Sequence, residues 1–307
     1  MHFFLILCTL FFSSLYSADD HWIVLETKEY PYSWIVYLMH QETEEEYVLK
    51  QIKEQQPEEQ VQILMEVLVG EMAEEISIPI NIVRLIGIDE WKEIKPLPNC
   101  ACTLHSRAKG VLIEDSVEWH DLEIGQRIRP PGTAQYQRYG PLPSEKIGFT
   151  WDVIREMSRH KDLPPLVALD TFVGNRDRWE NNLFYDQETD TFTGIDLGES
   201  YKHNLMAEAC RQMKVEKNIQ NERLEVLQSL ESFTTTMEIL VKKWPKERIL
   251  ERFVELAKSL RIEVSTSPKS QSYIQTIEES CQAGQPLLQS LNLILNCKPL
   301  NNTPYTL

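Results

Sequence analysis

Two acids and an amide stand in one short stretch of this chain at a spacing that suits phosphoryl transfer: Asp177, then Asn182 five residues on, then Asp196 after a short hydrophobic pattern. Moving a phosphoryl group onto a hydroxyl requires an acceptor for the hydroxyl proton and hard oxygen ligands that hold magnesium against a triphosphate. An aspartate that opens a tight loop and an asparagine one turn later can face the same cleft, the first as base and the second on the metal. Asp196 then completes the set. A D-x4-N spacing alone is common, and a run of Asp, Glu and Thr is usually only a turn. The third acid and the strand pattern before it are what single this stretch out.

The elements that must position these residues read as helix, loop, strand, turn, strand. Pro164-Pro165 opens an apolar run, Leu166 to Val173, that stops at Gly174. Leu183-Phe184-Tyr185 and Thr191-Phe192-Thr193-Gly194-Ile195 read as two strands joined by the polar turn Asp186 to Asp190. Such a hairpin brings Asp196 back beside Asn182. Asp186, Glu188 and Asp190 alternate as calcium ligands do, but Thr191 stands where an EF-hand loop needs glycine, so a solvated turn is expected.

On Asp177, Asn182 and Asp196 with the strand pair between them, the segment resembles the catalytic core of the phosphatidylinositol 3- and 4-kinase-like superfamily, which includes the HipA-type bacterial protein kinases. The triplet Asn175-Arg176-Asp177 also resembles the catalytic loop of ordinary protein kinases, with asparagine where they use histidine. The resemblance runs from Leu169 to Ser200 and is supported over Glu46 to Pro79. It implies an α+β, bilobal protein-kinase-like fold, with a small antiparallel-sheet N-lobe and a mainly helical C-lobe, and ATP and Mg2+ as cofactors. In those roles Asp177 is the base, Asn182 and Asp196 are the metal ligands, and Arg178 is expected to steady the loop.

The N-terminal half should then supply a sheet with a phosphate-contacting lysine. His21 to Glu26, Ser33 to Met39 and Glu46 to Ile52 read as three short strands. In the third, Lys50 alternates onto the face of Val48, opposite Leu49. It resembles the lysine that pairs the α- and β-phosphates in HipA-like kinases, with Lys53 as runner-up. The carboxylate that holds such a lysine extended is expected on the helical stretch Glu58 to Ile76, where Val61, Leu64, Met65, Leu68, Met72 and Ile76 are spaced to bury one face. Glu66 is the choice for that partner, ahead of Glu71.

Two departures from the family stand out. The turn Thr27 to Ser33 contains no glycine, whereas ordinary kinases cover the phosphates with a glycine-rich loop; a tight turn with the Ser33 hydroxyl is the substitute on offer. Trp179 stands where many relatives carry histidine. Ile82 to Asp89 and Cys102 to Leu112 are expected to complete the small-lobe sheet, with Thr103 to Ser106 approaching the hinge that would meet an adenine. A Pro-, Gly- and Tyr-rich loop, Arg129 to Pro143, should separate the lobes, and helical stripes dominate after Tyr201.

The 307 residues allow one bilobal domain, read as an N-lobe over 19–110 and a C-lobe with a helical extension over 111–307. Residues 1–18, apolar from Phe3 to Leu15 and ending in Tyr16-Ser17-Ala18, read as a secretory signal peptide too short to span a bilayer stably. The expectation is a secreted or periplasmic bacterial protein, delivered where ATP exists, in a host cell for instance. The cysteines left after the leader read as small buried hydrophobes, with Cys281 and Cys297 one conceivable bridge. A formal net charge of −16 disfavours nucleic acid and anionic membranes as partners and favours a protein hydroxyl over a lipid one as acceptor. The basic groups nearest a phosphoinositide role are Arg107 with Lys109, and Arg127, Arg129 and Arg138. The reading is an ATP- and Mg-dependent kinase. Its alternatives are a kinase-fold nucleotidyltransferase that moves AMP, and an inactive pseudokinase acting as a secreted binding module.

Overall fold

The computed structural model describes residues 21–31, 33–52, 60–86, 102–112, 160–178, 182–213, 224–260, 264 and 267–296. Of these, the residues within Met1–Gln56 and Arg84–Arg107 form one compact unit, and those within Pro57–Val83 and Ala108–Leu307 form another. The leader, Lys53, Trp179, the Arg129 to Pro143 loop with Arg127 and Arg138, Cys100 and Cys297 lie outside the described residues.

The first unit is an antiparallel sheet. Its strands are β1 (Trp22–Glu29), β2 (Ser33–His40), β3 (Glu46–Ile52), β4 (Val83–Leu85) and β5 (Cys102–Ser106), in the order β1-β2-β3-β5-β4. Strand β2, SWIVYLMH, carries aromatic and β-branched residues in a row from Trp34 to Tyr37, types that suit a pleated surface, and buries alternate positions Val36 and Leu38. Val36 and Leu38 point into a core shared with Trp22, Leu49, Cys102 and Leu104. The register places Lys50 between Ile35 on β2 and Thr103 on β5, on the face opposite the buried Leu49. Strand β1 lies at the edge, and its pairing shifts by a bulge between Val24 and Glu26, a device that twists an edge away from unwanted partners.

The second unit holds six described helices, α1 (Gln60–Glu75), α2 (Leu163–Val173), α3 (Leu205–Met213), α4 (Leu224–Lys243), α5 (Lys246–Ser259) and α6 (Pro268–Asn296), and a small sheet of β6 (Val111–Leu112), β7 (Leu183–Asp186) and β8 (Thr191–Gly194). Helix α2 begins with Pro at its first turn and ends at Gly174, whose left-handed backbone (φ 66°) turns its N–H back to the Asp170 carbonyl. A side chain at Gly174 would run into the His203 carbonyl, so the chain turns there only because glycine has no Cβ. Phe233, Met237 and Leu240 of α4 are fully buried, as are Leu287 and Leu291 of α6. No described helix is long and apolar enough to cross a membrane.

The overall class is α+β, an antiparallel-sheet unit and a mainly helical unit, as the sequence leads one to expect. Two details differ. Helix α1 buries not one face but nearly its whole circumference, including Ile63, Val67 and Val69, since it runs through the interior of its unit. Cys102 to Leu112 is not one small-lobe strand. Gly110, at φ 91° and pressed against the Tyr185 carbonyl, breaks it into β5 of the first unit and β6, which pairs with β7 in the second.

Candidate active site

The site is built outward from Asp170, on the last turn of α2. Its carboxylate is buried and accepts three hydrogen bonds: Arg178 Nη2 (3.1 Å) and Asn175 Nδ2 (3.0 Å) on Oδ1, and Arg178 Nε (3.1 Å) on Oδ2. The two-pronged Arg–carboxylate pair is the geometry that tolerates burial, because both charges are met along directed bonds. The far side of the same guanidinium donates from Nη1 to the main-chain carbonyls of Asn182 (2.8 Å) and Ile195 (2.5 Å). Arg178 thus ties the end of α2, the start of β7 and the end of β8 to one point. Gly194 makes room for it: a Cβ there would come within 3.1 Å of the guanidinium carbon.

That brace presents the acids. Asp177 takes its backbone direction from Asn175, whose Oδ1 accepts the Asp177 N–H (2.9 Å). Asn182 Nδ2 donates to the Asp177 carbonyl (2.5 Å) and to its carboxylate Oδ2 (3.0 Å). Since Nδ2 is committed to Asp177, the Asn182 side-chain oxygen Oδ1 is the group left to act as a ligand. Asp196 follows β8, brought alongside by the Ile195 N–H bond to the Asn182 carbonyl (3.0 Å). It adopts a left-handed backbone (φ 51°), costly for a residue with a side chain and found where a site dictates direction. Its Oδ1 receives the Gly198 N–H at 3.4 Å.

Burial pushes the Asp177 carboxyl up to about 6, and the negative charges of Asp196 and Glu199 add to the effect; the bond from Asn182 and the charge of Arg178 pull the other way but do not cancel it. Glu199 is held by Gln62 Nε2 (2.9 Å) and Lys202 Nζ (2.5 Å) on its Oε1. The charges of Asp196 and Glu199 are thus near enough to be felt at Asp177, an acidic setting that a divalent ion with hard oxygen ligands would neutralise.

Glu66 belongs to the same unit. It is fully buried on α1, and a side chain on Gly198 would approach its Oε1 to 2.7 Å and Asp196 Oδ1 to 3.5 Å. The backbone two residues beyond Asp196 therefore runs directly over the Glu66 carboxylate, and a Cβ there would oblige that carboxylate to move. Runner-up Glu71 is taken elsewhere: both its oxygens pair with Arg252 of α5, at 2.8 and 2.6 Å. Asp177, Arg178, Asn182, Asp196 and Glu66 are thus brought together in the second unit. Lys50 and Ser33 lie in the first, Lys50 in mid-β3 and Ser33 at the start of β2, where its carbonyl accepts the Tyr30 N–H (2.9 Å) and closes the glycine-free turn. His105 is a buried strand residue 2.8 Å from Thr103 Oγ1.

The sequence alone assigns Asp170 and Glu199 no part in the site, and Asn175 enters only as the first residue of the triplet that resembles a kinase catalytic loop. Asp170 had one usable signal, an acid inside an otherwise apolar run that ends at a helix stop, since an acid buried on a helix needs a partner close by.

No family model and no curated protein matches this sequence. Among solved structures, the chain is similar to the Helicobacter pylori proinflammatory kinase CtkA, with 9% identity, 91% of this chain and 96% of that one covered, and a TM-score of 0.43. It is also similar to a Plasmodium vivax ethanolamine kinase, with 10% identity, 88% and 85% covered, and a TM-score of 0.31.

Proposed function

We propose that this chain is an ATP- and Mg2+-dependent phosphotransferase acting on a hydroxyl acceptor, a protein side chain in preference to a lipid headgroup. The observation that carries the reading is the braced loop: one buried arginine fixes Asp177 beside Asn182 and returns Asp196 to them. Asp177 takes the proton of the acceptor hydroxyl, and a carboxyl held near 6 both accepts and releases a proton close to neutral pH. Asn182 offers a neutral oxygen and Asp196 an anionic one to magnesium. When bound, the ion neutralises charge on the phosphoryl group in transfer. Lys50 and the Ser33 hydroxyl are the groups of the first unit offered to the nucleotide phosphates, and the buried Glu66 carboxylate stands with the acids of the second. The net charge of −16 supports an acceptor that is itself not anionic.

The test is to incubate the chain with magnesium and ATP labelled separately at the γ- and α-phosphates, offering protein and phosphoinositide acceptors beside an Asp196→Ala control. Transfer of the γ-label that depends on Asp196 supports the reading and identifies the acceptor class. Transfer of the α-label makes the chain a nucleotidyltransferase instead, and silence on both labels with no ATP binding leaves a binding module. Export by residues 1–18 has its own test, because N-terminal sequencing of material recovered outside the producing cell then reads Asp19 first and not Met1.

A further inference from the structure

Far from these acids in the sequence, the first unit gathers two imidazoles and a carboxylate at one end of its sheet. His21 immediately precedes β1 and His40 ends β2. The pairing of Trp22 with His40, and the Gln41 N–H bond to the His21 carbonyl (2.8 Å), set the two histidines side by side. Their rings stack with centroids 6.0 Å apart and 9° from parallel. Glu42, in the turn after β2, places Oε1 3.6 Å from His21 Nδ1. One nitrogen from each ring and one oxygen of Glu42 all lie within 4.8 Å of one another.

The surroundings are those of a ligand set. His40 is oriented from behind, with Nδ1 3.3 Å from Thr43 Oγ1; the Thr43 hydroxyl donates to Glu45 Oε2 (3.4 Å), which also receives the Tyr47 hydroxyl (2.8 Å). The Thr43 oxygen also accepts the Glu45 N–H (3.4 Å), and a protonated His40 Nδ1 would donate to the same oxygen, leaving Nε2 as the ligating nitrogen. Histidines that bind metals are generally held in this way, the second ring nitrogen donating to a hydrogen-bonded chain that ends on a carboxylate. A cavity of about 310 Å³ opens beside the rings, lined further by Trp22, Tyr47 and Arg84.

We propose that His21, His40 and Glu42 form a binding site for a divalent transition-metal ion of the zinc class, with His40 ligating through Nε2 and the fourth position open to that cavity. Two imidazoles and one carboxylate suit zinc and its neighbours, whereas magnesium and calcium take oxygen ligands. Zinc–nitrogen distances of about 2.0–2.1 Å put donors of a tetrahedral set roughly 3.3 Å apart. His21 and Glu42 are exposed, so small side-chain rotations close the set without disturbing the core. The ion ties the start of β1 to the turn between β2 and β3. Strand β1 gains most from that, because seven of its eight residues are exposed.

The test uses the untagged full chain, stripped of metal, titrated with Zn2+ in a calorimeter and with Co2+ in an absorption spectrometer. One equivalent should bind, with the intense visible bands of four-coordinate Co2+ and a rise in melting temperature. His40→Gln and Glu42→Gln should each weaken binding at least tenfold, and Thr43→Val about tenfold, with circular dichroism unchanged. Wild-type chain that binds no Zn2+, or variants that bind as wild type does, overturn the proposal. Loss of binding in Asp196→Ala, with both glutamine variants unaffected, places the ion among the acids of the second unit and overturns it equally. Binding that survives His40→Gln and Glu42→Gln but not His21→Gln places the ion on the chain before β1 and overturns it as well.

Discussion

Asp177 and Arg178 are neighbours in sequence with opposite relations to their surroundings. Arg178 satisfies four acceptors, and its removal leaves the Asp170 carboxylate and two carbonyls buried without it. Arg178→Ala should therefore cost about 3–5 kcal/mol of stability, readable from urea unfolding, and Arg178→Lys should recover little of it because an ammonium cannot span both prongs. Asp177 instead carries a charge that its site resists. Its carboxyl is ionised in the unfolded chain above about 4 but in the folded chain only above about 6, so the folded state binds the extra proton between those values and loses stability as pH rises through them. In the absence of divalent ions, Asp177→Asn should match wild type in urea at about pH 4. At about pH 8 it should be more stable by on the order of 1–2 kcal/mol, a figure reduced for the remaining solvent contact. The same variant should lose about 10²–10⁴-fold in transfer rate if Asp177 is the base, and wild-type transfer should fall as pH drops below about 6.

At the scale of the element, the left-handed turn at Gly174 joins α2 to the loop that carries both residues. Gly174→Ala combines a strained backbone with a collision against the His203 carbonyl and should cost about 1–3 kcal/mol, seen as a lower melting temperature. Glycine at the end of an apolar run is a local signal, and that helix stop was legible in the sequence. So were β2, β3 and the β7–β8 pair, whose alternation and turn chemistry act over a few residues. What the sequence hid depends on distant partners. Nothing local says that α1 is surrounded on all sides, that Glu66 lies beneath Gly198, or that Asp170 is the root of the brace. The break at Gly110 was hidden for the same reason. Either side of it reads as strand, and only the Tyr185 carbonyl across the sheet makes a chain with a Cβ impossible there.

For the molecule as a whole, the excess of acids sets what can approach. With a formal net charge of −16, encounter with a cationic protein is steered and encounter with an anionic bilayer is opposed. Transfer to a basic protein acceptor should thus fall in kcat/KM as ionic strength rises from about 0.01 to 0.15 M, where the screening length shrinks from about 30 to 8 Å. Vesicles rich in anionic lipid should leave the chain in the supernatant on sedimentation. A rate indifferent to salt would mean that acceptor choice is local to the site.

The brace has a further consequence. Arg178 grips the carbonyls of Asn182 and Ile195, and a carbonyl is common to every amino acid. The spacing of the acids is therefore insensitive to which side chains the hairpin carries at its far end, where Gln187, Glu188 and Thr189 face solvent. That tip is a natural port: a fluorophore or an inserted peptide there would ride on the element that carries Asp196 while leaving the grip on both strands intact.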